Sequence, residues 1–175
     1  MKISLKSSIK ILLFVCFSIF YIQKSVAQET KKQDINQNIQ KWHKAASEAN
    51  FNEYFGLMTD TSVFIGTDPT ENWSYEEFKT FAKPYFDKGK AWSFTTLERN
   101  IFINKGNNLA WFDELLDTQM GICRGSGVVI IEDGMWKIQH YVLSIAIPNE
   151  NVKEITTLKQ KFDTDLITKL KHKNE

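Results

Sequence analysis

The chain is poor in cysteine, proline and histidine, with two, three and three of them among 175 residues. Two cysteines cannot make a disulfide framework. Three prolines and eight glycines leave no collagen-like repeat and no low-complexity linker. His43, His140 and His172 are far apart, and no pair has the H-x-x-x-H spacing of a helical metal site, so neither a metal nor a cofactor is expected. An excess of basic charge is also missing: the formal net charge is +1, which gives no electrostatic footprint for nucleic acid. The longest apolar run, residues 11–22, has 12 residues, short of the roughly 20 that a helix needs to cross a bilayer.

That run is instead laid out as the core of a secretory signal peptide. Lys2, Lys6 and Lys10 precede it, and Ser25-Val26-Ala27 places small residues at the −3 and −1 positions of a cleavage site before Gln28. A retained anchor is the alternative. Cys16, behind bulky Val15, fits a lipoprotein signal poorly. Residues 1–27 are therefore expected to be removed and the rest exported, to the periplasm or beyond, with no membrane attachment after cleavage. The leader takes four lysines and no acids with it, so the formal charge falls from +1 to −3 over the remaining 148 residues, a comfortable size for one core. Cys123 is then alone: a small buried residue on a strand, or a reactive or dimer-linking thiol.

Along the mature part, residues 28–33 are polar and expected to be disordered. Asp34-x-x-Gln37 has the form of a capping box, followed by Ile35, Ile39, Trp42, Ala45, Ala46 and Ala49 at helical spacing. Asn50-x-x-Glu53 and Ser74-x-x-Glu77 open two more helices, with a brief strand at 62–65 and turn residues at 66–72 between them. Beyond Gly89 the period changes. Residues 91–104, 108–119, 121–132 and 135–147 are rich in β-branched and aromatic side chains and separated by turn chemistry, which predicts an antiparallel meander. Residues 152–171 predict a final helix with Ile155, Leu158, Phe162, Leu166 and Leu170 on one face. Helices first, then strands on one side, make an α+β domain.

This order, with Phe64-Ile-Gly-Thr-Asp68, Glu71-Asn-Trp73, Lys83-Pro-Tyr-Phe-Asp-Lys-Gly89, Ala110-Trp-Phe-Asp-Glu114, Cys123-Arg-Gly-Ser-Gly127 and Gly134-Met-Trp-Lys-Ile138, resembles the nuclear transport factor 2-like superfamily, in its SnoaL-like exported branch. The resemblance covers residues 34–148 and implies a curved antiparallel sheet wrapped, as a cone, around the N-terminal helices. Residues 149–175 are an added C-terminal helix and tail. The superfamily includes cyclases, isomerases, dehydratases and domains without known activity, so the resemblance names no reaction.

Strand parity selects the candidate lining. On the last strand Trp136 and Ile138 face inward, which puts His140 and Ser144 inside unless a bulge intervenes, and leaves Tyr141, Leu143 and Ile145 as an outer apolar patch suited to a homodimer. Arg124 and Ser126 share a face of the preceding strand. A buried arginine needs a carboxylate, and Asp113 and Glu114, which point to opposite faces, offer one. His140 with Asp113 or Glu114 could transfer protons. Trp73 and Trp92 are expected at the mouth, with Tyr54 and His43 as further ligand contacts. Three readings stay open: a pocket for a small, largely apolar molecule, an isomerase, cyclase or dehydratase, and a dimeric module without catalysis.

Overall fold

The computed structural model describes residues 5–173, with side chains from Val26 onward. The basic start at Lys2 and the side chains of the apolar run lie outside the described residues. The first helix, α1 (Leu5–Ser47), runs without a break through the Ala27-Gln28 junction. Residues 28–33, expected to be disordered, are helical because Gln, Glu and Lys are good helix formers and no Gly or Pro interrupts them. Asp34 therefore lies inside the helix and caps nothing. Within α1, Ile35, Ile39, Trp42, Ala45 and Ala46 are all buried, one stripe at the helical period.

α1 ends in a Schellman motif. The Asn50 N–H donates to the Ala45 carbonyl and the Ala49 N–H to the Ala46 carbonyl, and Ala49 adopts φ +53°. Asn50 then caps α2 (Phe51–Gly56), its side chain accepting from the Glu53 N–H at 3.2 Å. Strand β1 (Met58–Ile65) is longer than the brief strand expected, and the turn segment ends in a short strand, β2 (Asn72–Ser74). Ser74 and Glu77 close the expected capping box of α3 (Tyr75–Asp87).

Four long strands follow: β3 (Thr95–Ile103), β4 (Leu109–Thr118), β5 (Gly121–Glu132) and β6 (Met135–Ile145). β3, β4 and β5 pair antiparallel, and β6 lies beside β5. The sheet has six strands in the order β2-β1-β6-β5-β4-β3, and β1 joins β6 in parallel. The curved, mostly antiparallel sheet packs its inner face on the N-terminal helices. Inner residues include Ala110, Phe112, Glu114 and Leu116 from β4, Cys123 and Val129 from β5, and Trp136, Ile138, Tyr141 and Leu143 from β6.

Parity on β6 changes between Ile138 and Tyr141. The register against β1 shifts at the same place, since Met58 pairs with Ile138 but Val63 with His140. Beyond this irregularity the faces exchange, so His140 is half-buried, Ser144 is exposed, and Tyr141 and Leu143 point inward. Of the outer apolar patch expected from Tyr141, Leu143 and Ile145, Tyr141 and Leu143 are buried and Ile145 alone is exposed. On β5 the inward set is Cys123, Gly125, Gly127 and Val129, which leaves Arg124 and Ser126 exposed. Cys123 is fully buried with its Sγ 3.5 Å from Thr118 Oγ1.

A second unit, residues 145–175, holds α4 (Val152–Lys173) after a 3₁₀ turn, Asn149–Asn151. Lys159–Asp163 and Lys161–Asp165 bridge successive turns, and none of the helix's residues is buried. Among the described residues no helix is long and apolar enough to cross a membrane.

Candidate functional site

The β3–β4 turn at Asn104–Asn108 sets the register of its hairpin, and counting back from it places Arg99 directly opposite Glu114. Both side chains point to the helices and both are almost completely buried. Seven residues apart on α1, Asn36 and His43 lie on the same helix face and reach this pair. Glu114 Oε1 accepts from His43 Nε2 at 2.9 Å and from the Tyr141 hydroxyl at 2.8 Å. Oε2 accepts from Arg99 Nε at 2.9 Å and Nη2 at 2.6 Å. The remaining Arg99 N–H groups go to Asn36 Oδ1 at 2.7 Å and Thr96 Oγ1 at 2.9 Å.

Burial pushes the Glu114 carboxyl up, but the His43 hydrogen bond, the Arg99 charge and the Tyr141 hydroxyl outweigh it and hold the group below its ordinary value. Glu114 is therefore a carboxylate at neutral pH. Burial and then the Glu114 charge raise the Tyr141 phenol well above 10, and burial does the same to Tyr54. Gly125 faces Glu114 across β4–β5. A Cβ there would lie 2.9 Å from Tyr141 Cζ, 3.0 Å from Glu114 Cγ and closer still to the Tyr141 hydroxyl oxygen. Only a glycine lets the phenol reach the carboxylate.

Next to this cluster is an aromatic pocket of about 190 Å³. Its walls are mainly Phe64, Trp73, Phe78, Phe81, Trp92 and Phe94, with Met120 and Leu143, and Thr67, Glu71 and Gln119 supply its polar side chains. Phe64 and Phe78 stack at 4.0 Å between ring centres, and Trp73 and Phe81 at 4.4 Å.

The sequence profile of the SnoaL-like domain family matches residues 35–148. The chain belongs to this family. Among solved structures it is similar to the association domain of C. elegans CaMKII, with 23% identity, 68% of this chain and 98% of that chain covered, and a TM-score of 0.56. It is also similar to a nuclear transport factor 2-like protein from Cytophaga hutchinsonii (17% identity, 66% and 98% covered, TM-score 0.56). A candidate dehydratase from the nuclear transport factor 2-like family of Streptomyces avermitilis is another match (12% identity, 69% and 99% covered, TM-score 0.58). At these identities the likenesses establish the fold alone. Among curated proteins there is no match.

In this SnoaL-like domain the polar residues expected to act together are not brought together. His140 and Asp113 lie on the outer face, where Asp113 accepts from Asn100 at 3.1 Å. Arg124, Ser126 and Ser144 are exposed. Glu114 is inside, but its arginine is Arg99 and its histidine is His43. Tyr54 and His43 are buried beneath the pocket, while Trp73 and Trp92 line it. Arg99 and the inward Tyr141 were missed. Turn counting could have found the first, and nothing in the residue pattern announces the register shift that turns the second inward. Among the described residues no cluster of His, Cys, Asp or Glu could hold a metal ion.

The shifted groups set a pH dependence. In the window between its folded and unfolded values, Glu114 binds fewer protons folded than unfolded. Its contribution is thus complete above its ordinary value near 4.5 and lost as pH falls through the folded value. Tyr54 and Tyr141 hold their protons more tightly when folded, so their contribution is complete below pH 10 and lost as pH rises beyond it. Urea midpoints measured from pH 3 to 11 should fall at both ends, and the acid limb should be shallower in Glu114→Gln. An identical acid limb in that variant would remove Glu114 as its source.

Proposed function

We propose that this SnoaL-like domain holds a small, flat, largely apolar molecule in its aromatic pocket. The observation that carries this reading is the wall of stacked rings around about 190 Å³, with few polar groups. An apolar cavity of about 150 Å³ takes up benzene, so this one suits one or two fused rings. The CaMKII association domain and the candidate dehydratase share the fold at low identity and do not decide between binding and catalysis. Tryptophan fluorescence of the purified chain should be quenched on titration with two-ring aromatic probes. Trp73→Ala and Trp92→Ala should each weaken binding about tenfold. If no probe changes the fluorescence or the thermal midpoint, the reading fails.

A second reading, self-association through the outer sheet face, is favoured by one pair of side chains. Phe102 and Trp111 are exposed, pair across β3–β4 and stack at 5.8 Å. Two exposed aromatic rings together are the usual anchor of an interface. Light scattering should give twice the chain mass, and Trp111→Ser should return it to the mass of one chain. A wild-type protein that is monomeric at 100 times its working concentration would sink this idea.

A further inference from the structure

Beneath the pocket is a layer of buried rings with polar atoms that meet no partner. Trp42 stacks on Tyr54 at 4.9 Å and lies 5.1 Å from His43. Among the described residues, Trp42 Nε1, His43 Nδ1 and the Tyr54 hydroxyl, all on buried residues, meet no hydrogen-bond partner. A buried polar group left unsatisfied is destabilising, and three in one layer of a core are an unusual concentration.

The chemistry of His43 Nδ1 follows from the other side of its ring. Nε2 is 2.9 Å from Glu114 Oε1, and Glu114 is ionised and acceptor-only, so Nε2 carries the proton. In the neutral imidazole Nδ1 is then a bare acceptor. Nδ1 thus asks for a donor.

Two residues belong to both the pocket and this layer. Phe94 lines the pocket and meets the His43 ring edge-on at 5.7 Å. Trp92 lines the pocket and meets Tyr54 at 5.4 Å. Both sit in residues 91–94, which belong to neither helix nor strand and follow Gly89 at φ +69°. The partition on that side is therefore carried by a short irregular segment, whose local opening is less costly than that of a strand.

We propose that the pocket continues past Phe94 to His43, and that the site takes a one- or two-ring molecule bearing a hydroxyl, which donates to His43 Nδ1. The hydroxyl oxygen then meets a layer that also holds two unpartnered donors, the Trp42 indole N–H and the Tyr54 O–H. Glu114 acts as a positioning residue that fixes the tautomer. The proposal rests on the pocket reading above and adds the polar end of its ligand.

The test compares 2-naphthol with 2-methoxynaphthalene, which has the same rings without the donor. Titrated into the purified chain at neutral pH, both should bind, and the naphthol about tenfold more tightly. That advantage should vanish in His43→Gln, which keeps an N–H toward Glu114 and removes the bare ring nitrogen. In the wild-type protein the ¹⁵N resonance of His43 Nδ1 should move with naphthol and stay with the ether. Equal affinities for the two probes, or an unmoved Nδ1 resonance, overturn the anchor while leaving the pocket reading standing. If neither probe binds, both fall.

Discussion

Replacing Glu114 by alanine should lower the unfolding free energy by about 3–5 kcal/mol, a large part of the stability of a domain this size. The loss comes less from the missing attraction than from what is left behind. The Arg99 side chain is 4% exposed, and without the carboxylate its charge has only Asn36 and Thr96 as neutral partners. His43 Nε2 and the Tyr141 hydroxyl lose their acceptor in the same step. Urea unfolding at pH 7 measures the effect. The double replacement Arg99→Met with Glu114→Leu should cost less than Glu114→Ala alone, because it removes both charges and fills the space. A loss below about 1 kcal/mol in the single variant would mean that water reaches the guanidinium and that the cluster is not sealed.

The second large effect is at Gly125. Gly125→Ala should cost about 3 kcal/mol, the upper end for one extra methyl in a packed core. Its Cβ would press on the Tyr141 hydroxyl and ring and on the Glu114 stem at once, and none of these can swing away. Tyr141 is held by its hydrogen bond to Glu114, and Glu114 by four donors. Tyr141→Phe alone removes one of those donors and should cost about 1.5–3 kcal/mol. In the Gly125→Ala background the same change relieves the worst contact, so the two losses should be clearly less than additive. Additive losses would mean that β5 moves away from β4 instead of pressing on the phenol.

Much of the fold was legible because its signals are local. The capping residues Asn50 and Ser74 and the turn at Asn104–Asn108 act within a few residues of themselves, and the observed elements start and stop where those residues dictate. The start of α1 is not legible locally, for the converse reason. Asp34 has the form of a cap, but a cap matters only where a helix must begin, and good helix formers run on both sides of it. The site was harder to read. Placing Arg124 inside assumed that β5 presents its large residues to the core, whereas it presents Gly125 and Gly127. Those glycines make room for Tyr141 and Phe112 arriving from neighbouring strands, a requirement set by residues distant in sequence. His140 was placed inside by strict alternation, and the irregularity beside β1 reverses it. Side-chain period is local information, but the position of a register shift is set by the pairing strand.

The parallel seam between β1 and β6 governs how the domain comes together. An antiparallel hairpin zips from its turn, but a parallel pair has no turn to start from, and here the first strand must wait for the last. The His43–Glu114 contact spans 71 residues in the same way. Loop closure over such distances is entropically unfavourable and is repaid only late. The meander of β3, β4 and β5 can form early while the β1 edge remains open. The final closure should therefore limit the folding rate, on a millisecond-to-second scale, and until it occurs the inner rings stay within reach of other chains.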